Sequence, residues 1–237
     1  MPEKLTIVAI DALEHKLVEE FDCKNLKQDH YGKTNITEFS QPRTIVLWSS
    51  FMTGKNREAE ILAMGDKEMW NVKHEIGNTF FSKFETPHII DLPGYNYDLD
   101  AHERSRKLLK SFFDTKDSHE KESIRKQYNK DAFDHHRVVK EEFYRELDAG
   151  HDLLLGYFSL ADVVGHLNFG NTTMMKMIYR EMDEIAGKVR GKKLVLSDHG
   201  MYAIGVFGDH SEYGFWSTNW KDLGKPKLTD IGKELMG

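Results

Sequence analysis

The sequence predicts an α/β fold: a doubly wound, mostly parallel sheet with helices on both faces and one helical insert. Three short, strongly apolar runs at residues 5–10, 153–158 and 193–197 are too short for helices. Near-continuous apolar runs are typical of strands buried on both faces of a parallel sheet. Longer amphipathic stretches lie between these runs, and strands that alternate with helices are typical of a doubly wound layer.

The individual elements follow from their composition and their boundaries. The first run ends at Asp11, and a helix is expected over residues 12–20. Residues 88–92 form a fourth strand candidate, because Pro93 and Gly94 stop the run. The remaining predicted helices cover residues 100–115, 120–148 and 172–189.

Length and composition restrict the class of protein. The chain has 237 residues, enough for one domain (1–237) that carries a charged helical insert at about 98–150. Its 33 basic and 39 acidic residues give a net charge of −6, which argues against nucleic-acid binding driven by bulk charge. The single cysteine, Cys23, excludes an intramolecular disulfide and an all-cysteine zinc site.

No segment of the sequence indicates insertion into a membrane or secretion. The apolar run that starts at Leu5 is six residues long, too short for a signal peptide, and no apolar stretch approaches the ~20 residues of a membrane span. A cytoplasmic protein is therefore expected, and its oligomeric state is left open.

The segment from about 98 to 150 differs from the rest of the chain in being dominated by charged residues and histidines. Its sparse apolar stripe fits two amphipathic helices that lie over another part of the molecule. Two interpretations stay open: a solvated helical hairpin that covers a sheet edge, or a cap that closes over a substrate.

Carboxylates and imidazoles follow the ends of the predicted strands. In an open α/β sheet, ligands bind outside the carboxyl ends of the strands, so these side chains are expected to share one edge. Carboxylate oxygen and neutral imidazole are usual ligands of divalent ions; zinc is expected, and manganese or iron would fit the same ligands. The candidate ligands, called the Asp/His cluster below, are Asp11, Asp162, His166, Asp198 and His199, which follow three predicted strands, and His210, which is expected in the loop 208–211.

Each of these residues also has an ordinary structural interpretation. Asp11 could cap a helix or form a turn, and Asp162 with His166 could be a hydrogen-bonded pair on one helix face. Residues 198–200 could be a simple turn. The metal hypothesis depends on the order and placement of all six residues together.

The order of the motifs resembles that of the alkaline phosphatase superfamily, and within it the type I phosphodiesterase/nucleotide pyrophosphatase family. The resemblance spans most of the chain outside the insert. The segments that carry it are Ile10-Asp11, Pro42-Arg43-Thr44, residues 48–54, Asp162-x-x-Gly165-His166, Ser197-Asp198-His199-Gly200-Met201 and His210.

The resemblance implies a nucleophile and two metal sites. Thr44 matches the nucleophile of the family, because it stands nine residues before Thr53 of the Thr-Gly pair, as in the family pattern. It also has the interpretation of a helix N-cap. One ion is implied at Asp162, His166 and His210, and the second at Asp11, Asp198 and His199.

The activity implied by the resemblance is two-metal phosphoester hydrolysis through Thr44, as a phosphodiesterase or nucleotide pyrophosphatase acting on a small phosphorylated substrate such as a nucleotide. A phosphomonoesterase or a metal-dependent phosphomutase is the alternative enzyme, and a non-enzymatic metal-binding protein is the alternative from another class. Trp48, Phe51 and Trp70 are candidates for an apolar shelf beside a diester, although Trp48 and Phe51 could equally be core residues of a helix. Arg43 could instead clamp a monoester dianion.

The sequence departs from the family pattern after the Thr-Gly pair, where the usual proline and His-Gly-Ile segment are missing. Lys55 or Asn56 could bind the phosphate oxygens in their place, or could simply be surface residues. The spacing in residues 40–43 is similar to the sulfatase signature, but Arg43 stands one place too early for it.

Overall fold

A six-stranded sheet forms the centre of the computed structural model, which describes residues 4–236. In space the strands follow the order β2-β8-β5-β1-β4-β3, and β6 and β7 form a separate hairpin. The strands are β1 (Leu5–Ile10), β2 (His30–Asn35), β3 (Pro87–Ile90), β4 (Leu153–Phe158), β5 (Lys192–Ser197), β6 (Met201–Ile204), β7 (Phe207–His210) and β8 (Tyr213–Thr218).

Helices connect the strands. Short 3₁₀ turns at Glu68–Asn71, Ile76–Asn78 and Phe80–Lys83 lie between the fourth helix and β3. The α-helices are α1 (His15–Glu20), α2 (Lys24–Lys27), α3 (Thr44–Thr53), α4 (Glu58–Leu62), α5 (Leu99–Asp114), α6 (Ser118–Glu146), α7 (Leu160–Asn168), α8 (Thr172–Lys188) and α9 (Leu228–Met236). None of the helices in the described residues is both long and apolar enough to cross a membrane.

The sheet is mostly parallel, which confirms the predicted α/β class. β1 pairs in parallel with β4 and β5, and β4 pairs in parallel with β3. β8 runs antiparallel to β5, and β2 runs antiparallel to β8 at the edge. β2 was not predicted, because its sequence, HYGKTN, is polar and the strand is partly exposed, as is common for an edge strand.

Two apolar cores lie on opposite faces of the sheet, because successive residues of a strand point to opposite faces. Leu5, Ile7 and Ala9 of β1 face the core that contains α3. Val8 and Ile10 face the other core, which contains α8 and part of α6. The continuous apolar run of β1 is thus explained by burial on both faces.

The charged segment forms two long helices, each begun by a capping aspartate. Asp98 accepts a hydrogen bond from the Ala101 amide, and Asp117 accepts one from the Glu120 amide. The second half of α6 packs directly on β4: a Cβ at Gly156 would lie 2.5 Å from Cδ2 of Phe143. This half of the segment therefore belongs to the core, whereas α5 packs on the first half of α6 in a smaller apolar cluster that includes Phe112 and Tyr128.

Candidate active site

The carboxyl ends of β1 and β5 place one half of the Asp/His cluster. Asp11 follows the last residue of β1, and Asp198 and His199 follow the last residue of β5. His199 Nε2 lies 3.3 Å from Asp11 Oδ1 and 3.5 Å from Asp198 Oδ2. Because β1 and β5 are neighbouring parallel strands, their ends meet at one edge of the sheet.

The other half of the cluster comes from α7 and from the β6–β7 hairpin. Asp162 and His166 lie one turn apart on α7, which begins shortly after β4. His210 is the last residue of β7, a strand where the sequence suggested a loop. Asp162 Oδ1 lies 3.4 Å from His166 Nε2 and 3.5 Å from His210 Nε2.

The two halves form one continuous cluster. The rings of His199 and His210 stack with their centroids 4.0 Å apart. The ligand atoms of Asp162, His166 and His210 lie within 4.8 Å of one another, and so do those of Asp162, Asp11 and His199. Asp162 therefore belongs to both groups of candidate ligands, a placement that the resemblance did not imply.

The three histidines are held in one orientation. His166, His199 and His210 each direct Nδ1 toward a backbone carbonyl, at 3.3, 3.0 and 2.9 Å respectively. A carbonyl only accepts hydrogen bonds, so Nδ1 carries the proton in the neutral ring and Nε2 keeps its lone pair. All three Nε2 atoms point into the cluster, which is the arrangement of metal-ligating histidines.

Several ligand atoms of the cluster have no hydrogen-bond partner among the described residues. A buried polar atom without a partner costs on the order of 1–3 kcal/mol, so a group of them in one place requires an explanation. A divalent ion satisfies both oxygen and imidazole nitrogen, and the donor set therefore fits metal binding. The unpartnered atoms are Asp11 Oδ1, Asp162 Oδ1, Asp198 Oδ1 and Oδ2, His199 Nε2 and His210 Nε2.

Burial perturbs the pKa values of the cluster in opposite directions. Burial and the neighbouring Asp162 carboxylate raise the pKa of Asp11 to about 7, and burial together with Asp11 raises the pKa of Asp198. Burial and His210 lower the pKa of His199 to about 3. Burial alone would lower the pKa of His166, but contact with the Asp162 carboxylate outweighs this effect and raises the pKa to about 9. Without cations, the cluster thus resists full ionisation of its carboxylates, and bound divalent ions would relieve that repulsion.

Thr44 begins α3 at the wall of the cluster. Its hydroxyl lies 3.4 Å from Asp11 Oδ2, and the residue is buried. The N-cap position is occupied by Arg43, so the interpretation of Thr44 as the cap is wrong; Thr44 is the first helical residue. The free amides of the first turn and the helix dipole favour an anion at this point.

Two residues that hold the Asp/His cluster in place were not predicted from the sequence. The hydroxyl of Tyr157, on β4, donates a hydrogen bond to Asp11 Oδ2 and leaves Oδ1 facing His199. Glu14 is buried and accepts hydrogen bonds from the hydroxyls of Tyr213 (2.6 Å) and Ser211 (3.0 Å), which holds the chain that follows His210. Neither residue belongs to a recognisable motif, so only the tertiary contacts identify them.

A cavity of about 600 Å³ opens from the cluster and from Thr44. Helix α5 forms the opposite wall with His102, Arg106 and Lys110, and Trp70 and Phe113 add aromatic surface. The His102 ring lies against that of Trp70, with the ring centroids 3.7 Å apart and the planes tilted by 34°. Part of the charged insert therefore lines the cavity, as the cap interpretation requires.

The candidate substrate-binding residues divide between the cavity and the surface. Arg43 lines the cavity, but its guanidinium pairs with Asp66 at 2.5 Å and with Gln41 at 2.9 Å. Lys55 and Asn56 are exposed and do not line it; the Asn56 side-chain amide donates to the Glu38 carbonyl instead.

The candidate shelf residues divide in the same way. Trp48 and Phe51 are fully buried in the core beneath α3, where their rings pack edge to face. Trp70 lines the cavity and is available to a substrate. Of the three aromatic residues, Trp70 alone has the placement that a shelf requires.

The structure is similar to that of murine ectonucleotide pyrophosphatase/phosphodiesterase 5. The sequence identity is 14% and the TM-score is 0.42. The match covers 84% of this chain and 57% of the other, so this chain spans little more than half of that protein's length. No family model matches the sequence, and no curated protein matches it.

Proposed function

We propose that this protein is a two-metal phosphoester hydrolase that acts through Thr44, with the specificity of a phosphodiesterase or nucleotide pyrophosphatase. The observation that carries the proposal is the set of unpartnered Asp and His atoms beside the Thr44 hydroxyl, which itself lies 3.4 Å from Asp11. The order of these residues along the chain, with its resemblance to the type I phosphodiesterase family, supports the same conclusion.

Each side chain has a defined task in the proposed reaction. The substrate phosphate lies against the first turn of α3, where backbone amides donate to its oxygens. The Thr44 oxygen attacks phosphorus, the bond to the leaving oxygen breaks, and a phosphothreonine forms. Water then attacks the phosphothreonine, releasing phosphate or a phosphomonoester and restoring the hydroxyl. Tyr157 and Glu14 act as positioning residues, because they hold Asp11 and the chain beyond His210 in place.

The Asp/His cluster would hold the metal ions in two groups: Asp162, His166 and His210, and Asp11, Asp198 and His199. Two divalent ions bound there would lower the pKa of the Thr44 hydroxyl and offset the charge that develops on the phosphate oxygens. Zinc is the metal that we expect.

A diester is favoured over a monoester because of how charge is placed around the nucleophile. The guanidinium of Arg43, the residue before Thr44, is held by Asp66, so it does not supply an extra cation for a dianion. A diester carries one negative charge at the reacting phosphate, and its second alcohol needs an apolar surface. Trp70 and Phe113 offer that surface.

This preference can be measured directly. We expect kcat/KM for bis-nitrophenyl phosphate to exceed that for nitrophenyl phosphate by at least tenfold, about 1.4 kcal/mol in transition-state terms. Steady-state kinetics of both esters, at the same metal concentration, provide the comparison. A tenfold preference for the monoester would instead assign the protein to the phosphomonoesterases.

The α5 wall is expected to bind the part of the substrate that does not react. Arg106 and Lys110 line the cavity and form no ion pair in the described part of the chain, and Asp114 is the one carboxylate beside them on this wall. A substrate with a second phosphate would contact these two cations. Replacing both with alanine is expected to raise KM for a nucleoside triphosphate at least fivefold and to leave kcat within twofold, because binding is lost and the reacting centre is not.

The matched control for this variant is Lys107→Ala. Lys107 is exposed on the same helix but does not line the cavity, so the loss of one surface charge is tested without the contact. Equal KM values for the double variant and the wild type would show that α5 does not bind substrate.

A further inference from the structure

A second group of histidines and glutamates lies at the opposite end of the sheet from Thr44. Ligand atoms of His88, Glu146 and His151 lie within 4.8 Å of one another. His88 is the second residue of β3 and is paired in register with Leu154, the second residue of β4. The catalytic residues follow the carboxyl end of β4, roughly 13 Å further along the strand at 3.3 Å per residue.

Direct contacts join these side chains. His151 Nε2 lies 2.9 Å from Glu146 Oε2, and His88 Nε2 lies 3.4 Å from Oε1 of Glu142, one helical turn before Glu146. The two imidazole rings stack with their centroids 4.8 Å apart. The other oxygen of Glu146 contacts Arg145 at 3.1 Å, so Oε2 remains directed at the histidines.

The backbone holds the two histidines side by side. Asp152, the residue after His151, accepts hydrogen bonds from the amides of Glu85 (2.6 Å) and Thr86 (2.9 Å) just before β3. This contact fixes the loop that carries His151 against the start of the strand that carries His88. Glu142 and Glu146 lie on one face of the last turns of α6. Three separate segments therefore converge on one point.

We propose that His88, Glu146 and His151 form an additional Zn²⁺ site, and that Glu142, which contacts His88 at 3.4 Å but lies outside this group of three, turns toward the ion as the fourth ligand. Two imidazoles and carboxylates are a ligand set that zinc binds tetrahedrally, with ligand atoms about 3.3 Å apart at bond lengths of 2.0–2.2 Å. The observed spacings, from 2.9 Å up to the limit of 4.8 Å, reach that value by small rotations of side chains that are partly exposed.

An ion at this site would be structural. It would tie the carboxyl end of α6 to edge strand β3 and to the loop before β4. Because such an ion binds the folded chain and not the unfolded one, its binding stabilises the fold. It lies away from the Asp/His cluster, so the site does not depend on the proposed hydrolytic function.

The test measures the number of zinc ions bound per protein chain. Protein is saturated with ZnCl₂, dialysed, and analysed by elemental mass spectrometry for the wild type and for the double variant His88→Gln/His151→Gln. We expect the double variant to bind one zinc ion fewer than the wild type, to lose the increase in Tm that zinc gives, and to keep its hydrolytic activity within twofold. His119→Gln, at an exposed histidine near the start of α6, is the matched control and should bind as the wild type does.

The reciprocal variant separates this site from the catalytic one. Asp162→Asn/His166→Gln should lose activity and at least one catalytic ion, and should keep the ion at His88, Glu146 and His151 together with the increase in Tm that this ion gives. Equal zinc content in the wild type and in a folded His88→Gln/His151→Gln variant, as judged by circular dichroism, would overturn the proposal. If the variant does not fold, His151→Gln alone is measured by the same criterion. A wild type that binds a single ion, lost with His88 and His151, would support this site and contradict the two-metal active site.

Discussion

Thr44→Ala is expected to lower kcat for phosphoester hydrolysis at least a thousandfold, which corresponds to about 4 kcal/mol in the activation barrier. The substitution removes the oxygen that attacks phosphorus, so the covalent step is lost. The fold and the bound ions should be retained, because the Asp/His cluster supplies its ligands without Thr44. Activity, metal content and circular dichroism of the purified variant provide the measurements.

The matched control is Thr53→Ala, at the other end of α3. Its hydroxyl donates to the Ser49 carbonyl inside the same helix and does not face the cavity. Wild-type activity in this variant would show that loss of a threonine from α3 is harmless in itself. Retention of a tenth or more of wild-type kcat in Thr44→Ala would exclude Thr44 as the nucleophile.

Asp162→Asn is expected to remove at least one catalytic ion and to reduce kcat at least a hundredfold. Asp162 contacts His166 and His210 and also lies within reach of Asp11 and His199, so one substitution disturbs both metal groups. The amide has nearly the same shape as the carboxylate but lacks the negative charge that a divalent ion requires. Elemental analysis and steady-state kinetics give the two readouts.

The control is Asp134→Asn, at a partly exposed aspartate of α6 whose ion pairs within residues 4–236 are to Lys130 and Arg137 on its own helix. Exposed pairs of this kind contribute at most about 1 kcal/mol, so this variant should keep both metal and activity. If Asp162→Asn also kept both, the cluster would be a network of buried carboxylates and histidines rather than a metal centre.

The parallel part of the sheet could be predicted from the sequence because its strands are buried on both faces. Burial on two faces requires apolar residues at every position of β1 and β4, and such runs stand out in a polar chain. The antiparallel edge formed by β2 and β8 could not be predicted in this way. An edge strand such as β2 is half exposed and polar, so it does not form an apolar run in the sequence. Its pairing depends on β8, 178 residues or more further along the chain.

The positions of the candidate ligands were predictable for a related reason. Asp11 and Asp198 directly follow buried strands, and parallel strands end at one edge of the sheet. The local structure at His210 was not predictable, because β7 is short and exposed and forms only by pairing with β6. Lys55 and Asn56 are near Thr44 in sequence, but the turn after α3 carries them to the surface, away from the cavity.

The α/β class, the order of the apolar strands and the identity of the residues that follow them could be predicted from the amino-acid sequence, because backbone pairing and burial impose local, periodic patterns. The tertiary structure alone decided which atoms meet. It directs the Nε2 atoms of three histidines inward through carbonyl contacts at their Nδ1 atoms, and it sets Tyr157 against Asp11. It also carries α5 across the cavity, so that Arg106 lies on the wall opposite Thr44. Such contacts join side chains far apart in sequence, and no local pattern records them because they depend on how helices pack against the finished sheet.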